Sequence, residues 1–361
     1  LTLLLIMIIV IIINNNNNNK GNPMRIIKLF LVNLFLVFLF IQESASVELN
    51  IYSYRKPILL EPFTKAYEKE FGVKFNILHS KKGLAQRLKS EGKNSPADVI
   101  LTVDISRLSE LANMNLLQNL NSSIIDKNVP ENLRDINKKW TALSTRARVI
   151  GISKDRVNEN EINRIEDLAN PKFKGKICTR IGSHPYNRAL LSSLVSHLGE
   201  KKAEKWAKSF VSNFARKPKG NDRAQAKAIY SGECDIILIN TYYFALMKFN
   251  EKKVEQKKWA DATKIIFFNQ DDRGQHINIS GAGIARFSKN KTEAIKFIEW
   301  LTKIKAQKIY SEINYEYPVN SKVKLEGKIM QWGKFISDNL PINELAKNAK
   351  TSQMIIDRVG W

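Results

Sequence analysis

The stretch from Val47 to Leu117 alternates strand-like and helix-like patterns, and this alternation limits the possible folds more than any other feature of the chain. Val47–Tyr52 alternates apolar and polar residues, as a half-buried strand does. Glu61–Phe71 then sets Phe63, Ala66, Tyr67 and Phe71 at helical spacing, with Gly72 placed to cap the end. A strand at Val73–Ile77, a helix at Gly83–Glu91 ended by Gly92, a strand at Val99–Thr102 and a helix at Ser106–Leu117 follow. Strands joined through helices run parallel, because a parallel pair needs a long crossover connection. The spacing therefore predicts an α/β fold with a mainly parallel sheet flanked by helices on both faces.

A second α/β set follows a loop containing Trp140. Its strands are expected at Arg148–Ile152, Lys176–Arg180 and Cys234–Ile239, and its helices at Asn187–Leu198, Glu200–Ala215 and Asp222–Tyr230. Further on, a strand at Ile277–Ile279 is expected to pass through a tight turn, Ser280-Gly281-Ala282-Gly283, into Ile284–Phe287. The same four residues could instead present backbone amides to an anion. The helix Lys291–Thr302 buries Ala294, Phe297, Ile298 and Leu301. The 361 residues leave room for two domains, and no repeat or flexible linker divides them, so two lobes joined by crossing strands are expected.

Residues 1–46 carry two apolar runs. Leu1–Ile13 rises only about 20 Å as a helix, short of a bilayer core, and the homopolymer Asn14–Asn19 follows it. Met24, Arg25 and Lys28 then precede the apolar Leu29–Ile41 and the small residues Ser44-Ala45-Ser46. That is the three-part layout of a secretory signal cut before Val47, so translation is expected to start at Met24 and the product to be exported.

Removing residues 1–46 takes away Lys20, Arg25, Lys28 and Glu43 and turns the net charge of +23 into +21. Such a surplus fits nucleic acid, an anionic surface or an acidic ligand. The basic residues are nevertheless spread along the whole chain, and no basic stretch is interleaved with aromatics. A solvated basic surface is expected, and no nucleic-acid partner. Sequence motifs for phosphate loops, dinucleotide binding, zinc proteases and serine hydrolases are absent, and His79, His184, His197 and His276 lack metal-ligand spacing. No nucleophile–base constellation appears, so no enzyme is expected. His197 reads as a core or capping residue, while His184 stands two residues before Tyr186 and could support a site there.

Cys178 and Cys234 lie in short strand-like runs. In an oxidising compartment they could pair, a bridge worth about 4 kcal/mol in the chain-entropy account. Two buried free thiols are the other outcome.

Tyr242 and Tyr243 directly follow the strand Cys234–Ile239, after Asn240 and Thr241. Ligands of open α/β sheets bind beyond strand ends. Two adjacent tyrosines can meet one ligand only where the strand has ended and the chain turns. Phenolate oxygen is a hard anionic donor suited to Fe³⁺, whose charge makes ionisation possible at neutral pH. The pair alone decides little, since 10 tyrosines in random order give about 0.3 adjacent pairs.

More specific are the motifs around it. Lys176-Ile177-Cys178-Thr179-Arg180 leads to Ser183-His184-Pro185-Tyr186-Asn187, and Gly232-Glu233-Cys234-Asp235 leads to Asn240-Thr241-Tyr242-Tyr243. Tyr52-Ser53-Tyr54-Arg55, Ser95-Pro96-Ala97-Asp98-Val99, Arg146-Ala147-Arg148, Asn278-Ile279-Ser280-Gly281-Ala282-Gly283 and Glu316-Tyr317-Pro318-Val319 complete the series. Taken in chain order, over nearly all of residues 47–361, they resemble the periplasmic ferric-iron-binding protein family. The resemblance implies a two-lobed type II periplasmic-binding fold, with an N-lobe of 47–148 and 277–322 and a C-lobe of 149–276 and 323–361. It implies a periplasmic monomer that takes Fe(III) on Tyr242, Tyr243 and Tyr186 and serves the permease and ATPase of an ABC transporter. Arg55 and Arg146 become the candidates for holding a synergistic anion such as carbonate.

The chain departs from the family pattern at Lys56 and Pro57, where many members place His or His-Tyr, and at Val103, where some carry Glu. The N-lobe would then contribute charge and an anion instead of direct ligands. Asp104 could substitute, but it more readily caps the following helix. The other readings are the same fold binding an organic or inorganic anion through Arg55, Arg146 and loop amides, and a basic polyanion binder.

Overall fold

The structure is a computed structural model that describes residues 47–361; the expected start at Met24 and the signal segment lie outside the described residues. Strands β1 (Glu48–Ser53), β2 (Lys74–His79) and β3 (Val99–Thr102) are parallel and lie in the order β2-β1-β3. Helices α1 (Pro57–Phe71) and α2 (Leu84–Glu91) make the crossovers, and α3 (Ile105–Asn113) and α4 (Ser123–Asn128) follow. The strand β8 (Ile277–Ile284) inserts antiparallel between β3 and the first half of β4 (Trp140–Ser153), which also pairs with β9 (Tyr317–Pro318). The second half of β4 pairs antiparallel with β6 (Ile236–Asn240) and β7 (Thr263–Ile266), and β5 (Ile177–Cys178) lies parallel to β6.

β4 therefore changes partners midway. Ala147 faces Ile277 of β8, and the next residue, Arg148, faces Asn240 of β6. Around the second half pack α5 (Pro185–Leu198), α6 (Glu200–Ser212), α7 (Asp222–Tyr230), α8 (Thr241–Lys248) and α9 (Val254–Asp261). After β8 come α10 (Lys291–Leu301) and α11 (Ile304–Glu312); after β9 come α12 (Asn343–Lys347) and α13 (Ala349–Val359). Phe63, Tyr67, Phe297 and Trp300 fill the core beside β1 and β3. Leu190, Trp206, Phe210 and Trp361 belong to a second apolar core.

The departures from expectation have local causes. α1 begins at Pro57 instead of Glu61, because a proline at the first helical position loses no hydrogen bond and already has helical φ. α3 stops at Asn113, four residues before Leu117: Asn115 turns to φ 55°, and Leu117 leaves to bridge Ala285. β4 begins at Trp140, not Arg148, and all 14 of its residues are buried, so no alternation marks it. β5 is shorter than expected at both ends, and β6 begins two residues later than expected and ends one residue later.

The expected turn at Ser280–Gly283 is absent, and these residues continue β8. A Cβ on Gly281 would stand 2.5 Å from the Thr141 carbonyl oxygen and 2.7 Å from Leu108 Cδ1. The glycine is there to let β4 and α3 close on the strand. Gly281→Ala is expected to destabilise the protein by about 1–3 kcal/mol through overpacking. Urea unfolding that matches wild type would remove this account of the motif.

Cys178 and Cys234 are both buried free thiols, and each shifts the ionisation of the other. The neighbouring Cys234 pulls the Cys178 thiol down, while Cys178 and then burial push the Cys234 thiol up.

Candidate functional site

Two parallel strands, β5 and β6, each lead into a helix that starts close beyond its C-terminal end. This is where an α/β sheet offers a ligand both helix N-termini and unpaired side chains. Tyr186 sits in the first turn of α5, after Pro185 and ahead of the expected helix start at Asn187; His184 caps this helix, its Nδ1 accepting from the Tyr186 amide at 3.3 Å. Tyr242 and Tyr243 occupy the first turn of α8. Successive helical residues diverge by about 100°, not the half-turn of a strand. The two rings can therefore lie side by side, with centroids 4.3 Å apart.

The structure brings the third tyrosine to them. Tyr186 Oη lies 2.9 Å from Tyr242 Oη, so the phenols of two separate helices meet. All three rings remain partly exposed. Burial, and then the neighbouring Tyr243, push the Tyr186 hydroxyl up to about 12, against the pull of Arg146. Burial and the other two tyrosines raise Tyr242 as well. Arginines surround the cluster: the guanidinium carbons of Arg146, Arg148 and Arg180 lie 5.9, 5.9 and 5.3 Å from the Tyr186 ring centroid. Arg223 lies 4.8 Å from that of Tyr243. Among the described residues no three His, Cys, Asp or Glu side chains gather in a metal-binding group.

Arg55 and Arg146 also come together, both donating to Ser280 Oγ at 2.6 and 2.9 Å. They differ in charge balance. Arg55 Nη2 donates to both Glu316 oxygens at 2.8 and 2.9 Å, and Ser144 donates to the same carboxylate. Burial alone would lower the Arg55 ionisation, but Glu316 lifts it above the usual value. Burial alone would raise the Glu316 carboxyl, but Arg55 and Arg146 draw it below the ordinary range. Arg146, only 2% exposed, keeps Nε and Nη2 buried without a partner.

The remaining sequence candidates stand apart from the tyrosines or are occupied. Asp104 caps α3, accepting from the Ser106 amide at 2.9 Å and from Asn278 Nδ2 at 2.8 Å. Lys56 is exposed at the start of α1. His197 Nε2 pairs with Asp338 at 2.7 Å. His184 packs edge-on to Tyr186 with centroids 4.5 Å apart, and burial followed by Arg180 and Arg148 lowers its ionisation to about 3, so it is a neutral acceptor here.

Several residues around the tyrosines have roles that the sequence did not assign. Asp222, fully buried at the start of α7, accepts from Arg180 at 3.0 Å, Arg148 at 3.3 Å and the Asn240 amide at 2.9 Å. Its place in the sequence marks only a helix N-terminus. Arg148 and Glu316 stand in motifs, but their roles and that of Ser144 were not assigned, because Ser144–Glu316, Ser280–Glu316 and Arg148–Asp222 pair residues 172, 36 and 74 positions apart.

Comparison with known proteins identifies the family. The family of bacterial extracellular solute-binding proteins matches residues 94–336. Iron uptake protein A1 of Synechocystis is 41% identical over 315 residues, covering 87% of each chain. The ferric iron-binding protein A of Mannheimia haemolytica, in an open conformation, is 44% identical with a TM-score of 0.82, over 87% of this chain and 99% of that one. A Trichodesmium protein in complex with iron and citrate ligands is 43% identical with a TM-score of 0.84, again over 87% and 99%. The fold is thus the two-lobed type II periplasmic-binding one, and the family is one of binding proteins, not enzymes. On these matches the chain belongs to the bacterial extracellular solute-binding proteins and, among them, to the periplasmic ferric-iron-binding family.

Proposed function

We propose that this chain captures ferric iron on Tyr186, Tyr242 and Tyr243 in the periplasm and delivers it to the permease and ATPase of an ABC transporter. The 2.9 Å approach of the Tyr186 and Tyr242 hydroxyls carries the reading, because two phenols on separate helices converge on one point beside a third. Three phenolates balance the charge of Fe³⁺. The lobes would be 47–148 with 277–322 and 149–276 with 323–361, in keeping with the change of partner between Ala147 and Arg148.

Arg146 supplies the place for a synergistic anion. Its free Nε and Nη2 form one edge of the guanidinium, the fork that takes a planar oxyanion such as carbonate or a carboxylate with two parallel bonds. Arg55 is already neutralised by Glu316 and supports the same spot through Ser280. Adding Fe³⁺ and bicarbonate to the purified protein is expected to give a visible phenolate-to-iron band. No band with any iron source or anion sinks the proposal. The open fork also favours a second reading, an anion bound without metal. Calorimetry of the metal-free protein with a panel of oxyanions separates the two.

Coordination requires each phenol to lose its proton. Tyr186, at about 12, and Tyr242, raised as well, keep theirs at neutral pH without metal. Loading therefore releases protons, and affinity falls on acidification by about tenfold per pH unit for each proton released. Iron loading with no acid production in weakly buffered solution would contradict phenolate ligation.

The contact between Cys178 and Cys234 supports a bridge after export. A disulfide oxidant would take two electrons and both thiol protons, and its own sulfurs would leave as thiols. Thiol counting under denaturing, non-reducing conditions is expected to find none in exported protein; two would refute it.

A further inference from the structure

Arg146 and Arg148 leave β4 two positions apart, so their side chains share one face of the strand. Yet they are used differently. Arg146 keeps two nitrogens free, whereas every nitrogen of Arg148 is engaged. Nε and Nη2 both donate to Asn187 Oδ1, at 2.9 and 2.6 Å, and Nη1 donates to Asn240 Oδ1 at 2.9 Å. Asn187 directly follows Tyr186, and Asn240 stands two residues before Tyr242. One guanidinium thus grips the beginnings of both tyrosine-bearing helices.

We infer that Arg148, backed by Asp222, is the positioning residue that sets the separation of Tyr186 from the Tyr242–Tyr243 pair and links it to the strand passing between the lobes. The inference rests on the iron-binding reading above. Asp222 completes the frame from below, holding Arg148, Arg180 and the Asn240 amide together. The hinge connection is through the backbone. Arg148 is the first residue of β4 to pair with β6; its amide donates to the His276 carbonyl at 3.3 Å, and its own carbonyl accepts from Gln275 Nε2 at 2.8 Å. A rotation of β4 against the segment before β8 therefore displaces the group on which both helix starts are hung. Lobe opening and loosening of the tyrosine cluster become one movement.

The test compares wild type with Arg148→Lys in the full chain, loaded with Fe³⁺ and bicarbonate. A lysine ammonium is a single point charge and cannot hold Asn187 and Asn240 as a planar fork does. Arg148→Lys is expected to move the phenolate-to-iron band and to speed iron loss to a competing chelator by about 10–100-fold, the usual effect of removing an outer-shell partner. A purely structural role would lower the unfolding temperature of the metal-free form and leave the band of the loaded protein in place. A wild-type band and release rate in Arg148→Lys overturn the inference. If that variant does not fold, Asn240→Ala decides, since it removes one acceptor of Arg148; the expected shift is in the same direction and unchanged behaviour overturns the inference. Wild type without any band refutes the iron reading itself, and the inference falls with it.

Discussion

Replacing Tyr242 and Tyr243 together by Phe is expected to abolish the visible iron band and to lower ferric affinity by more than about a hundredfold, since outer-shell changes alone cost 10–100-fold. The fold should survive. The rings stay, only two hydroxyls are lost from partly exposed side chains, and the change in unfolding free energy is about 1 kcal/mol or less. Tyr186→Phe alone is expected to weaken and displace the band without abolishing it, because two adjacent phenols remain. The measurement is an optical titration with chelator competition. A double variant that keeps the wild-type band would show that the metal is held elsewhere.

Glu316→Ala acts on stability instead. Glu316 and Arg55 are 5% and 4% exposed, so removing the carboxylate leaves Arg55 in the interior without its counter-charge, and Arg146 close by. Breaking a buried pair from one side costs about 3–5 kcal/mol, and a fall in unfolding temperature on the order of 10 °C follows. The pH dependence has a definite sign. Glu316 ionises more readily in the folded protein than in the unfolded chain, so its stabilisation is present above the unfolded carboxylate value. It is lost as pH falls through the lower folded value. Glu316→Ala removes that acid-sensitive component. Calorimetric scans across the acid range check both parts, and a variant as stable as wild type with an unchanged acid limb would refute the account.

What could be read from the chain in advance was whatever short-range pattern encodes. β3 was located residue for residue, and the caps at Gly72 and Gly92 end α1 and α2. Asp104 caps its helix, as its place before an amphipathic run implies. The first half of β4 escaped because strands covered on both faces lose their alternation, and its Thr, Ser and Arg residues look like loop until their partners are known. Ser280–Gly283 escaped for a related reason: glycines that serve close strand–helix approach are indistinguishable from glycines that serve a turn. At the site, the tyrosines and two arginines were legible through motifs. The frame that orients them was not: Asp222 stands in no motif, and Arg148 and Glu316, though in motifs, acquire their roles only from residues far along the chain.

The insertion of β8 between β3 and β4 has a consequence for how the molecule is made. β3 and the first half of β4 never touch as neighbours; they are joined only through residues 277–284. A nascent or newly translocated chain therefore carries two unsatisfied strand edges until the long intervening segment has folded back on itself. Closing so distant a contact is slow, and the open edges are available for pairing with other chains in the interval. Refolding at low protein concentration should accordingly give high yield, with losses that climb as concentration rises.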